Sequence, residues 1–365
     1  MNIKNMTVYY WSGTGNSLRI ARWACEKACE AGVDVLICPL SEAEPEKEIP
    51  DSNDFLLTMV MPVHGFTAPW AVIRFALRLP RRRYTTAQIM ATRGGSWPGF
   101  YLRGLSASTT FLIALILGVK GYTIRGIISI DMPQNWTAVF PGLSDTHNNY
   151  FFERARTKTV SFMERVLENR RHIFTGDNLF EFIAGLALLP VSFLYLILGR
   201  FYIAKMFFAS DKCNACGICA ANCPHSAIKM KGTMKTRRPY WTFSCESCGR
   251  CINYCPLQAV ESGHSLAVLL YLATTIPVAL YVTDWIGTRI PAVLSLQNKY
   301  ILFFLDYPFK LFGIFITYFI VYYLMKVPII NRLFTYTTGT RWFKRYHMPE
   351  VRLKDFRPEK YSGNE

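Results

Sequence analysis

Cys213-Asn-Ala-Cys216-Gly-Ile-Cys219-Ala-Ala-Asn-Cys223-Pro224 and Cys245-Glu-Ser-Cys248-Gly-Arg-Cys251-Ile-Asn-Tyr-Cys255-Pro256 hold eight of the eleven cysteines in this chain. Both read C-x2-C-x2-C-x3-C-P, the spacing that holds two [4Fe–4S] cubanes. Three thiolates at short intervals wrap a loop around three iron corners, and the distant fourth closes the other cube. That rule assigns Cys213, Cys216, Cys219 and Cys255 to one cluster, and Cys245, Cys248, Cys251 and Cys223 to the second. Gly217 and Gly249 keep bulk out of the ligand loops, and each proline ends its loop. A single run would also suit a zinc knuckle or a disulfide staple. Two in tandem, each with its proline, argue against both. The pattern predicts a protein that moves electrons.

At 365 residues the chain has room for two or more domains, and its 51% hydrophobic content points to membrane contact. Clusters are assembled from reduced thiols, so a cytosolic redox compartment is expected. The start, Met1-Asn-Ile-Lys-Asn-Met-Thr-Val-Tyr-Tyr, runs straight into a strand pattern, and no secretory signal is expected. A formal charge of +16 is compatible with nucleic acid, an anionic membrane surface or acidic protein partners. No nucleic-acid-binding motif is present, and the basic residues gather near hydrophobic segments, as a cytoplasmic-face bias requires.

Between residues 7 and 131, short apolar runs alternate with amphipathic stretches. Strands are predicted at Thr7–Trp11, Val33–Cys38, Phe55–Met61, Gln88–Thr92 and Ile124–Ile130, with helices at Ser17–Glu30, Trp70–Leu79 and Leu102–Val119. The alternation predicts an α/β, doubly wound, five-stranded parallel sheet with its ligand site at the carboxyl ends of the strands. Asn148–Ile173 reads as the closing helix, and Cys25, Cys29 and Cys38 as small buried hydrophobes.

The first strand ends in Trp11-Ser12-Gly13-Thr14-Gly15-Asn16-Ser17 and opens a helix, a turn chemistry that suits phosphate. No lysine follows the last glycine, so it is not a Walker loop. It resembles the flavodoxin phosphate loop. That resemblance implies FMN, with Ser12, Gly13, Thr14, Gly15, Asn16 and Ser17 around its phosphate. It also implies two loops about the flavin ring, Met61–Thr67 and Thr92–Trp97, in which Phe66 or Trp97 stacks and Gly94 and Gly95 admit the ring. Loop aromatics also commonly cap a core. His64 is placed to tune a flavin, although a lone loop histidine is more often solvated.

Three apolar stretches bear on topology. Ser265–Thr283 and Leu311–Ile330 qualify as transmembrane helices, with Tyr271, Tyr281, Trp285, Tyr322 and Tyr323 as interfacial anchors. Leu179–Leu198 carries Glu181 and Pro190 and is flanked by basic residues on both sides. It is read as a bent, non-spanning segment on one membrane face. Lys326, Arg332, Arg341, Lys344 and Arg345 crowd the far side of the second helix, which predicts a cytoplasmic tail and cytoplasmic redox domains. Tyr336–Lys344 is expected to dock on lipid headgroups or on the cluster domain.

The glycine-hydroxyl turn and the cysteine runs together make residues 5–260 similar to flavodoxin/ferredoxin fusion proteins, with a membrane hairpin added after Gly263. The expected divisions are a flavodoxin-like domain (1–174), a membrane-associated linker (175–208), a small α+β two-cluster ferredoxin-like domain (209–262), two transmembrane helices (263–330) and a basic tail (331–365). The resemblance implies electron transfer between an FMN-type site and two clusters, the flavin interconverting two-electron and one-electron carriers. Lys212, Lys229, Lys231, Lys235, Arg237 and Arg238 offer a basic face to a soluble acidic carrier, and a membrane redox enzyme is the other candidate partner. A flavin-dependent quinone or organic-substrate reductase, and a scaffold with an empty flavin loop, are the alternatives.

Overall fold

Five apolar runs of the N-terminal half form parallel strands: β1 (Asn5–Tyr10), β2 (Asp34–Pro39), β3 (Phe55–Pro62), β4 (Thr86–Gly95) and β5 (Thr123–Pro133). The structure, a computed structural model, describes residues 3–233, 237–282, 285, 288–289 and 299–362. It divides into two units. The first comprises Met1–Leu196, Cys248–Tyr254 and Lys344–Glu365, and the second Ile197–Ser247 and Cys255–Phe343.

In the first unit the strand order is β2-β1-β3-β4-β5, the flavodoxin-like order with its switch point between β1 and β3. Helices α1 (Asn16–Glu30) and α5 (Asp145–Leu167) cover one face, packing Leu18, Ala21 and Phe162 on Val8, Met90 and Ile128. A short helix, α2, spans Pro45–Glu48, and α3 (Trp70–Arg78) and α4 (Thr109–Val119) cover the other face through Val72, Ile73, Ile113 and Leu117. With both faces covered, the strands are largely buried and show no alternation of buried and exposed positions.

Three local expectations shift. α4 begins at Thr109 rather than Leu102, because Leu102 is held in a bridge to Ser96. α5 starts earlier, where Ser144 Oγ accepts from His147 N at 3.3 Å, an N-cap bond. A sixth strand, Glu359–Tyr361, pairs antiparallel with β2, so the end of the expected tail belongs to this sheet. Its Glu359 pairs with Arg22 of α1.

The first apolar stretch becomes α6 (Gly176–Ala187) followed by α7 (Leu189–Leu194), with Pro190 in the first turn of α7. Gly176–Ala187 and Leu189–Ala204 are bent by 66°. α6 is fastened to the sheet by its polar face. Glu181 is fully buried, takes an ion pair from Arg93, and accepts from Ser106 N and Ala107 N at 2.8 and 2.7 Å. Arg93 also grips Asp131 at 2.9 Å, and Asn178 Nδ2 donates to Ile127 O at 3.1 Å. Leu179, Ile183 and Leu186 face outward and are exposed. α6 is therefore an amphipathic part of the first unit, not a free linker.

In the second unit two small antiparallel ladders form, β6 (Phe207–Ala209) with β9 (Val260–Ser262) and β7 (Ile228–Lys231) with β8 (Arg238–Trp241). Among the described residues, His264–Val282 and Leu305–Leu324 are each long and apolar enough to cross a membrane, and only 24% and 22% of them is buried. Val268, Leu272, Phe312 and Ile320 are exposed along them. Thr283 and most of the connection between them lie outside the described residues. Tyr271, Tyr281, Trp285 and Tyr323 are exposed, as anchors require. Tyr322 is not: it is buried, and its hydroxyl donates to Arg238 O at 3.2 Å. Tyr318 does likewise, accepting from Trp241 N and donating to Phe207 O, both at 3.3 Å. The segment after the second helix docks on the cluster domain, where Thr340 Oγ1 donates to Glu261 at 2.6 Å and accepts from Ser262 N at 3.1 Å.

Candidate iron–sulfur centres and the glycine-hydroxyl turn

Each ligand loop turns by placing residues in the left-handed region on either side of a cysteine. Ala215 (φ 60°) and Gly217 (φ 79°) flank Cys216, and Ser247 (φ 53°) and Gly249 (φ 75°) flank Cys248. A one-turn helix follows each glycine, Ile218–Ala221 and Arg250–Asn253. Ser226 and Gln258 repeat the pattern at φ 47° after each proline. The last sulfur of each run accepts a backbone bond at 3.3 Å, Cys223 Sγ from Ala227 N and Cys255 Sγ from Ala259 N. Every one of these features recurs at the spacing that separates Cys213 from Cys245. The two runs are one structural motif used twice. The glycines thus serve backbone conformation first and space second.

The first ligand set lies wholly in the second unit. Burial pushes the Cys219 thiol up to about 12, and the nearby thiols of Cys213, Cys255 and Cys216 add to the rise. Cys255, from the second run, therefore stands with the first three. Among the described residues no three His, Cys, Asp or Glu side chains converge as a single-ion site requires. A cubane instead takes one thiolate per iron, spread around the cube. The second set is divided, with Cys223 and Cys245 in the second unit and Cys248 and Cys251 in the first. Cys245 Sγ accepts from Ser247 N at 3.4 Å.

Lys205 was legible only as a flanking charge. It is fully buried, donates to Trp241 O, and lies 4.1 Å from the Phe243 ring and 4.4 Å from the Tyr318 ring. Burial pushes its ammonium down to about 7, while the charge of Cys245 acts in the opposite sense. Of the basic face, Lys212, Lys229 and Arg237 are exposed, whereas Lys231 lies 3.8 Å over the Tyr240 ring. Lys235 lies outside the described residues.

In the first unit the turn Ser12–Ser17 is buried throughout. Ser12 Oγ accepts from Gly15 N at 3.1 Å, and Thr14 Oγ1 accepts from Asn135 at 2.6 Å. Asn16 donates to Pro133 O at 3.0 Å and accepts from Tyr346 at 2.6 Å, and Ser17 Oγ meets Thr92 Oγ1 at 3.1 Å. The hydroxyls and amide expected to hold a phosphate are thus engaged within the protein. Space is closed as well. A Cβ on Gly13 would lie 1.8 Å from Cys248 O, and one on Gly15 2.7 Å from Met348 Cβ. Arranged this way, the turn does not fit a flavin phosphate.

The ring loops are similarly filled. The Tyr195 ring lies 2.2 Å from a Cβ built on Gly65, and its hydroxyl meets His64 Nδ1 at 3.3 Å. Phe66 takes φ 64°, and its carbonyl accepts from Ser108 N at 3.2 Å. Trp97 stacks on His147 at 4.6 Å. The Phe151 ring closes Gly95 at 2.2 Å, while Gly94 is exposed. Cys25 and Cys38 are buried and Cys29 is half-buried.

Residues 212–260 match the family model described as a 4Fe–4S dicluster domain. No curated protein matches the chain. Among solved structures it is similar to a Streptococcus pneumoniae TIGR4 flavodoxin (12% identity, 44% of this chain and 99% of that one, TM-score 0.32). It is also similar to a flavodoxin from the domain Archaea (14%, 44% and 98%, TM-score 0.31), and to a Pseudomonas aeruginosa flavodoxin (14%, 45% and 97%, TM-score 0.32). The dicluster match joins the β2-β1-β3-β4-β5 sheet described above. Residues 212–260 thus match a 4Fe–4S dicluster domain, in a chain whose first unit has the flavodoxin-like strand order. The sequence reading missed Arg250, which sits between Cys248 and Cys251 and bonds to the glycine-hydroxyl turn through Ser12 O at 2.7 Å and Gly13 O at 3.2 Å. An arginine inside a ligand loop carries no pattern that would have marked it.

Proposed function

We propose that this chain is a flavodoxin/ferredoxin-type fusion, a membrane-anchored electron-transfer protein whose carriers are two [4Fe–4S] clusters, exchanging single electrons with a soluble acidic carrier or a membrane redox enzyme. The observation that carries this reading is the doubled ligand loop, with matching left-handed residues and N–H···S bonds. Bonds of that kind to sulfur tune cluster potentials. Cys213, Cys216, Cys219 and Cys255 would hold one cluster, and Cys245, Cys248, Cys251 and Cys223 the other. The apolar helices His264–Val282 and Leu305–Leu324 support anchoring in lipid, with the redox domains and tail on the cytoplasmic face. Exposed Lys212, Lys229 and Arg237 favour an acidic partner through long-range attraction.

A flavin-dependent reductase is the second reading, favoured by the strand order and by the sequence of the turn after β1. It requires FMN to enter where residues 248–254 and 346–351 now pack. The test is reduction of the protein by a low-potential one-electron donor in detergent, followed by oxidation with an acidic ferredoxin or a quinone analogue. Transfer to the ferredoxin that weakens with added salt supports the first reading, and steady quinone turnover supports the second.

A further inference from the structure

We infer that the glycine-hydroxyl turn Ser12–Ser17 is a seat for the second cluster's ligand segment, that Arg250 is its positioning residue, and that this protein carries no flavin there. The inference rests on the reading of Cys248 and Cys251 as cluster ligands. Its basis is the packing of Cys248–Tyr254 within the first unit. Arg250 is almost fully buried, donates to Ser12 O and Gly13 O, and lies 3.6 Å over the Phe356 ring. A cation thus fills the mouth of a turn whose chemistry otherwise favours an anion. Asn253 Oδ1 accepts from Thr137 at 2.7 Å and from Tyr346 N at 2.9 Å. Tyr254 donates to Val351 O at 3.0 Å and stacks on His347 at 4.4 Å. Met348 N completes the cover by donating to Thr14 O at 2.7 Å.

Gly13 has no Cβ because the carbonyl of a cluster cysteine occupies that space. The loop glycine therefore serves protein–protein packing, where the resemblance implied nucleotide binding. A functional consequence follows. With no flavin at this turn, a hydride donor finds no two-electron acceptor there, and the clusters would exchange single electrons with one-electron carriers.

The test combines cofactor analysis with variants. The full chain is purified anaerobically in detergent after expression with excess FMN, then assayed for iron and for acid-released flavin. Iron with only a trace of flavin is expected. Arg250→Gln is expected to shift the potential or the EPR line shape of one cubane and leave the other unchanged, with Arg250→Lys restoring most of the wild-type signal. Gly13→Ala is expected to disturb the same cubane. One FMN per chain, lost in Gly13→Ala while both cubane signals persist, would overturn the inference. Should Gly13→Ala fail to fold, the wild-type flavin content and the Arg250 pair still decide it. A preparation without iron would instead overturn the cluster reading on which the inference stands.

Discussion

Cys255 belongs to the second cysteine run but stands with Cys213, Cys216 and Cys219, and that crossing has a consequence for single-residue variants. Cys213→Ser and Cys255→Ser are expected to lose the same cubane signal, and the double variant to lose no more than either single one. Cys251→Ser is expected to abolish the other signal. EPR of the reduced variants separates these outcomes. Glu181 offers a second residue-scale test. Removing one partner of a buried, hydrogen-bonded ion pair costs about 3–5 kcal/mol, so Glu181→Ala is expected to lower Tm markedly in an anaerobic thermal melt. His172 supplies the pH dependence. Burial, helped by Arg165 and Lys158, holds its pKa below the ordinary 6.5. The unfolded chain therefore binds this proton more readily than the folded one, and stability falls as pH drops through about 6.5. His172→Asn is expected to flatten that limb of a Tm-against-pH series.

The C-terminal segment is the element whose role departs most from its composition. Read as a polar, basic tail, it supplies instead a sixth strand and the cover of the glycine-hydroxyl turn. Its polar residues hide this, since Tyr346, Met348 and Val351 are spaced neither as a strand nor as a helix. Tyr346→Phe removes one buried bond to Asn16 and is expected to cost about 1–2 kcal/mol in chemical unfolding. An unchanged midpoint would deny the cover its structural role. Other elements were plainly written. The β1–β5 strands read as continuous apolar runs because both sheet faces are covered, and the cysteine spacing follows from cluster chemistry. Glu181 was informative: a charge inside an apolar stretch argued against a span, and its buried Arg93 partner shows why the charge is tolerated. The filling of the flavin loops was not legible, because it depends on Tyr195, Phe151 and Cys248, which reach those loops from distant parts of the sequence.

At the scale of the whole molecule, the proposed electron carrier includes two helices long and apolar enough to cross a membrane. Leu272 faces outward on the first apolar helix, and an arginine near the centre of a span opposes insertion by about 2.5–3.5 kcal/mol. Leu272→Arg is expected to reduce the membrane-bound fraction in carbonate-washed membranes, whereas an unchanged fraction would argue against His264–Val282 as a span. The central claim is that the doubled ligand loops carry two [4Fe–4S] clusters. Iron and acid-labile sulfide analysis of the anaerobically purified full chain, with EPR after dithionite reduction, tests it most directly. The account predicts about eight irons and about eight sulfides per chain with two cubane signals. Bound zinc with no reducible signal, or about four irons that vanish with any one of the eight cysteines, would contradict it.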